Sequence, residues 1–285
     1  MRELLSETNR IFRENRIGIS LVLSLDLAEI IIISFNPFII GLCIDGLLAN
    51  DFLWVYVLIA LQILLIAVRV LNKILDTKVY EHIIENESNT YYERMLQTNA
   101  DHGKISSRLN LVSEIMTFFD GDLVRIIDMI SGIGFSLVFI LTSSGLPLFL
   151  LSVFISGTVF FVTKKTHQEI IDINIKLQDD DEVRENIILS RDRWQFEEFT
   201  KKIFNRKVLQ SNTDAKAYLI TDILQAVLLV LAIGFTIYFG NYTSGQIFTI
   251  ISYITMLNES VCDINEIRVR LYDLNDAAIR LRDDT

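Results

Sequence analysis

The chain has 285 residues, 51% of them hydrophobic and 22% charged, with a net charge of −10 at pH 7. An apolar share this high excludes an ordinary water-soluble domain, and the acidic balance excludes a nucleic-acid binder, which needs a basic footprint. Cys43 and Cys262 both lie in apolar stretches, so a disulfide framework is excluded as well.

Residues 3–14 come first. Leu4, Leu5, Thr8, Ile11 and Phe12 fall on one helical face, away from Arg2, Arg10 and Arg13. That pattern predicts an interfacial helix lying on a membrane surface, assigned here to residues 1–16. The apolar run 17–48 follows, too long for the core of a cleavable signal and without a clear cleavage site. It is read as span 1, with a kink expected at Asn36-Pro37.

Span 2 covers about 52–72. No Gly or Pro occurs between Asp51 and His102, so the helix is expected to continue for roughly 75 Å, although only about 30 Å of it can sit in hydrocarbon. The remainder, with Lys73, Asp76, Lys78, Glu81 and Glu85, is read as part of a polar arm over 73–122. Gly103 ends that helix, and Ile105, Leu109, Val112, Ile115 and Met116 then recur at helical spacing. Span 3 covers 123–142 and span 4 covers 147–163, with Pro147 in a favoured first-turn position. A second arm runs over 164–217, with its reversal expected at the charged stretch 178–185 around Asp179, Asp180, Asp181 and Glu182. Span 5 covers 218–239 and span 6 covers 246–266.

None of the 26 Lys and Arg residues falls in the short turns at 45–51, 143–145 and 240–245. The positive-inside rule therefore places both termini and both arms in the cytosol. The location this implies is a bacterial inner (cytoplasmic) membrane, crossed several times. The fold class is an all-α membrane protein: six transmembrane helices with long cytosolic extensions, forming one domain over 17–285.

Pro37, Phe38, Ile39, Ile40 and Gly41, followed by Ile44, Asp45, Gly46, Leu47 and Leu48, resemble the end of the first span of a known family. Gly103, Lys104, Ile105, Ser106, Ser107, Arg108 and Leu109 resemble the segment ahead of its third span. Tyr242 to Ile247, with Ile251, Ser252 and Tyr253, resemble the turn into its sixth. Ala277 to Leu281 resemble the tail that leads to an ATPase domain. The family is the transmembrane domain of ABC exporters of the type IV fold, and the likeness covers nearly the whole chain. It implies a two-fold homodimer with swapped helix pairs, and a coupling segment at Gly103, Ser107 and Arg108. No G-x-x-x-x-G-K-[ST] occurs in these residues, so a phosphate-cradling loop is absent from them. The expectation is a standalone form without a nucleotide-binding domain. The second arm also departs from the family. Where a glycine-led coupling helix is usual, Asn186, Ile187, Ile188, Leu189 and Ser190 stand without the glycine.

Ionisable residues inside the spans are the candidate sites. They are Asp26 and Glu29 in span 1, Asp128 in span 3, Asp222 in span 5, and Glu259 and Asp263 in span 6. A carboxylate at mid-bilayer costs about 2.5–3.5 kcal/mol or more, so such groups face a bundle interior or a wet cavity. An acidic inner surface would bind a cationic substrate or cycle protons. The structural alternative has Arg125 neutralising Asp128. His82, His102 and His167 have no metal-ligand spacing, and no catalytic arrangement is visible. The expected protein is a transporter, not an enzyme, with no cofactor and no metal. Its partners are itself and the lipid bilayer. Two drives stay open: proton coupling, as in bacterial peptide transporters that share the fold without an ATPase, or a separately encoded ATPase subunit. A non-transporting scaffold is the remaining alternative.

Overall fold

The computed structural model describes residues 10–98 and 117–283, and within them every regular element is helical. A helical turn at residues 10–14 precedes α1 (Arg16–Leu48) and α2 (Leu53–Thr98). A π-helical turn, Phe118–Asp122, runs directly into α3 (Leu123–Ser144). Then come α4 (Leu146–Ser190), α5 (Arg193–Phe239) and α6 (Ser244–Asp283). Each of the six carries a stretch long and apolar enough to cross a membrane. Length separates their two parts. At 46 residues, α2 is about 69 Å long, more than twice the ~30 Å of a hydrocarbon layer. The helices α4 and α5, with 45 and 47 residues, overshoot in the same way.

The connections follow from local chemistry. Between α1 and α2, Asn50 takes the left-handed conformation (φ 57°), and the Asp51 carboxylate accepts from the Leu53 amide at 3.0 Å to start the next helix. Gly145, at φ 80°, is the single residue that links α3 to α4. The helix α1 runs unbroken through Pro37. The second arm corrects the expected reversal at 178–185. There α4 stays helical through Asp180 and turns at Arg191, where φ is 53°. Asp192 then caps α5 by accepting from the Trp194 and Gln195 amides. The acidic run does not need to break the helix, because Asp180 is buried against α5. Its carboxylate accepts from Lys202 Nζ at 2.8 Å and pairs with Arg206.

α6 is the hub, packing on α3, α1, α4 and α5. Its most apolar stretch is 39% buried, whereas the corresponding stretch of α2 is 6% buried, with α2 lying along α1 at the edge. The main core is built from Ile140, Leu148, Val159, Leu228, Tyr253 and Leu257. Tyr253 stacks on Phe139 at 4.5 Å, and its hydroxyl donates to the Ser34 carbonyl at 2.9 Å. Small residues let the backbones meet. A Cβ on Gly245 would lie 2.0 Å from the Gly41 carbonyl oxygen, so only glycine permits the α1–α6 crossing at this separation. Asp45 of α1 fixes the same end, accepting from the Gly245 amide at 2.8 Å and the Thr243 hydroxyl at 2.5 Å. A second core lies at the other end, where Ile11, Ile19, Val22, Tyr80, Ile83 and Phe119 join the N-terminal turn, α1, α2 and the π turn.

Candidate functional site

α1, α3 and α6 leave a groove between them of about 460 Å³. α6 contributes a stripe at helical spacing, Phe248, Ser252, Thr255, Met256, Glu259 and Asp263. α3 contributes Asp128, and α1 contributes Ile33, Asn36, Pro37 and Ile40. The stripe forms because α6 buries Ile250, Tyr253, Ile254, Leu257 and Val261 in the core. At 3.6 residues per turn, that leaves Ser252, Thr255, Glu259 and Asp263 on the opposite side. One end of the groove is apolar and the other holds three carboxyl groups.

Those three are not neutralised by ion pairing. Among the described residues, Asp128, Glu259 and Asp263 have no ion-pair partner, and Arg125 reaches Glu266 at 3.4 Å instead of Asp128. The expected Arg125–Asp128 neutralisation is therefore not the arrangement found. Asp263 lies within electrostatic range of Asp128, Glu259, Glu266 and Arg125, so the carboxylates form one local field. In a low-dielectric setting such a field favours a cation strongly over an anion.

Three candidates do not join the groove. Glu29 is tied to α2, accepting from Arg69 Nε at 2.9 Å, although its charge still reaches Asp128. Asp26 accepts from the Asn72 side-chain amide at 2.5 Å. Asp222 stands exposed on α5, towards Tyr218 and Cys262. Glu29 and Asp26 therefore join α1 to α2, while Asp222 lies off the path. The segment Gly103, Ser107 and Arg108 lies outside the described residues.

Reading the sequence by charge alone missed two features. Asn36, Ser252, Thr255 and Ser260 also line the groove, and their signal was the same helical spacing that connects them to Glu259. Beside Asp26, the buried Asp76 lies within hydrogen-bonding reach of Asp120, and one Asp76 oxygen has no hydrogen-bond donor. No spacing rule links Asp76 to Asp120 across a turn. Among the described residues, no group of three or more His, Cys, Asp or Glu is arranged to hold a metal ion.

Comparison with known proteins gives the family. A family model described as an ABC transporter transmembrane region matches residues 8–245. The chain belongs to this family of ABC transporter transmembrane regions. Among solved structures, a bacterial Atm1-family ABC exporter with ATP bound shares the fold, with a TM-score of 0.67 at 12% identity. The match covers 96% of this chain and 53% of that exporter, so the present residues span about half its length. No curated protein sequence matches. This ABC transporter transmembrane region is thus a multi-pass membrane protein of transporter type with an exporter fold, and its groove lies on the side of the bundle bounded by α1, α3 and α6.

Proposed function

We propose that this chain forms one half of a transporter that carries an amphipathic organic cation along the α1–α3–α6 groove. The supporting observation is the convergence of Asp128, Glu259 and Asp263, without ion-pair partners, at one end of a groove whose other end is lined by Ile33, Ile40, Phe248 and Ile251. Carboxylates select positive charge, and the apolar wall takes the hydrocarbon or aromatic body. A second copy of the chain would face the groove across a two-fold axis and enclose it, with rocking of the halves changing access. The arms lie on the cytosolic side in this reading, because the basic residues collect there.

The drive we favour is proton exchange. A cation entering the groove displaces protons from the carboxyl groups, and protonation from the other side releases it. The second reading is drive by an ATPase carried on additional sequence or a separate chain, favoured by the ATP-bound exporter that shares this fold. Against it stands the tip of the second arm, where α4 and α5 meet across Arg191 and Asp192 with no short transverse helix for an ATPase to grip.

Purified protein in proteoliposomes, with ethidium as the aromatic cation and an imposed pH difference, tests both. Ethidium flux that follows the pH difference and falls at least about tenfold in Glu259→Gln supports proton exchange. Flux seen only with ATP and a co-purified ATPase supports the second reading. Flux equal in wild type, Asp128→Asn and Glu259→Gln refutes the role of the groove.

A further inference from the structure

At the end of the bundle away from the α1–α2 turn, a cavity of about 340 Å³ lies between the N-terminal turn, the start of α1 and α2. Arg13, Arg16, Lys78 and His82 line it, together with Glu14 and Ile17. Among the described residues Arg13, Arg16 and Lys78 have no ion-pair partner. The one carboxylate in the lining, Glu14, is already held by Arg10 at 3.1 Å, and Arg10 is anchored in turn to the buried Glu87 at 2.8 Å. His82 is oriented by Asn86, 3.1 Å from its Nε2. The second core supports the cavity from within. Ile11, Ile19 and Ile83 are buried directly beneath it, and Gly18 packs so closely that a Cβ there would come 3.0 Å from Val79. The cations therefore stand on a rigid base.

Three further observations indicate what fills this site. Ile17 is 78% exposed beside the cations, an apolar side chain that no described residue covers. The cavity lies six to ten residues, about 9–15 Å, beyond the Asp26–Asn72 contact at the end of span 2, where long Arg and Lys side chains reach back to lipid head groups. The first turn of α1, Arg16 to Gly18, lines the same cavity, and Asn15 offers its amides no side-chain cap. We propose that this cavity binds the phosphate group of an anionic phospholipid, with Arg13, Arg16 and Lys78 on the phosphate and an acyl chain along Ile17. It is separate from the transport groove, and its occupancy would hold the N-terminal turn against α1 and α2.

The test uses the full chain in detergent. Binding of short-chain phosphatidylglycerol, short-chain phosphatidylcholine and inorganic phosphate is measured by native mass spectrometry, for wild type and for the triple variant Arg13→Gln/Arg16→Gln/Lys78→Gln. A second triple variant, Arg193→Gln/Lys201→Gln/Lys207→Gln, removes equal charge from the second arm. Expected is phosphatidylglycerol binding that is at least about tenfold weaker in the first variant and unchanged in the second, with phosphatidylcholine bound more weakly than phosphatidylglycerol by wild type. Equal affinity for the two lipids, or equal loss in both variants, overturns the site. Displacement of phosphatidylglycerol by millimolar phosphate would assign the cavity to a soluble anion and overturn the lipid assignment.

Discussion

Gly245→Ala is the sharpest probe of how the groove is held open. The added Cβ would sit 2.0 Å from the Gly41 carbonyl oxygen and 2.7 Å from the Asp45 carboxylate. A close C···O contact is about 3.3 Å, so α1 and α6 must part by about 1.3 Å. The obstacle is backbone, and no side-chain rotation relieves it. That retreat would stretch the 2.8 Å bond from the Gly245 amide to Asp45 and the 2.9 Å bond from Tyr253 to the Ser34 carbonyl past useful length. Overpacking costs about 1–3 kcal/mol and a lost hydrogen bond to a charged group about 1.5–3 kcal/mol, so roughly 3–5 kcal/mol together. At about 2–4 °C per kcal/mol, the melting temperature should fall by roughly 10 °C. With the half-buried Cys262 replaced by serine, a thiol-reactive dye reporting on Cys43, which is buried at 7% exposure, follows the transition in detergent. Gly134→Ala is the control. Nothing lies within 4 Å of its Cβ, and alanine's helix preference should leave melting equal or slightly raised. Equal melting of wild type and Gly245→Ala would refute the tight crossing.

Three further outcomes follow from the same geometry. Asp76→Asn should stabilise the protein by about 1 kcal/mol at pH 7, because relief of the charge repulsion on Asp120 and a new amide donor to it outweigh loss of the solvent-exposed Lys73 pair at 3.2 Å. The gain should shrink as pH falls through the range where Asp120 takes up its proton, which burial and the Asp76 contact raise above the usual carboxylate value, and a melting series against pH reads it. In the second arm, Asp180→Ala should cost about 1–3 kcal/mol, since Lys202 and Arg206 can turn to water. Lys202→Gln/Arg206→Gln should cost more, about 3–5 kcal/mol, by stranding a buried carboxylate. Limited proteolysis of the arm ranks the two, and the reverse order counts against the buried lock. In α1, Asp45→Ala should lower the melting temperature by roughly 4–8 °C through loss of its bonds to Thr243 and Gly245 at the turn into α6. An unchanged value would mean that the cap is idle.

The long periodic elements were legible in the sequence because length and apolar content alone decide them. The stretch from Asp51 to His102 contains no helix breaker, and α2 runs through Thr98. The reversal of the second arm was not legible. Asp179–Glu182 looked like a solvated break because a charge run normally is one, but a buried partner on α5 changes its meaning, and that partner is 22 residues away from Asp180. The site divided in the same way. Glu259 and Asp263 are four apart on one helix, so their shared face could be counted out, and Asp128 joined them through packing of α3 on α6. Glu29 and Asp26 looked equivalent to them by depth. Only the position of α2 showed Arg69 and Asn72 taking them up.

Equilibrium binding of ethidium to the purified protein, read by fluorescence polarisation, is the most direct measurement of the acidic groove. Affinity should fall at least about tenfold in Asp128→Asn and in Glu259→Gln, and further in the combined variant with Asp263→Asn, while Asp222→Asn binds as wild type. Unchanged affinity in the combined variant, or an equal loss in Asp222→Asn, would contradict a cation path along α1, α3 and α6.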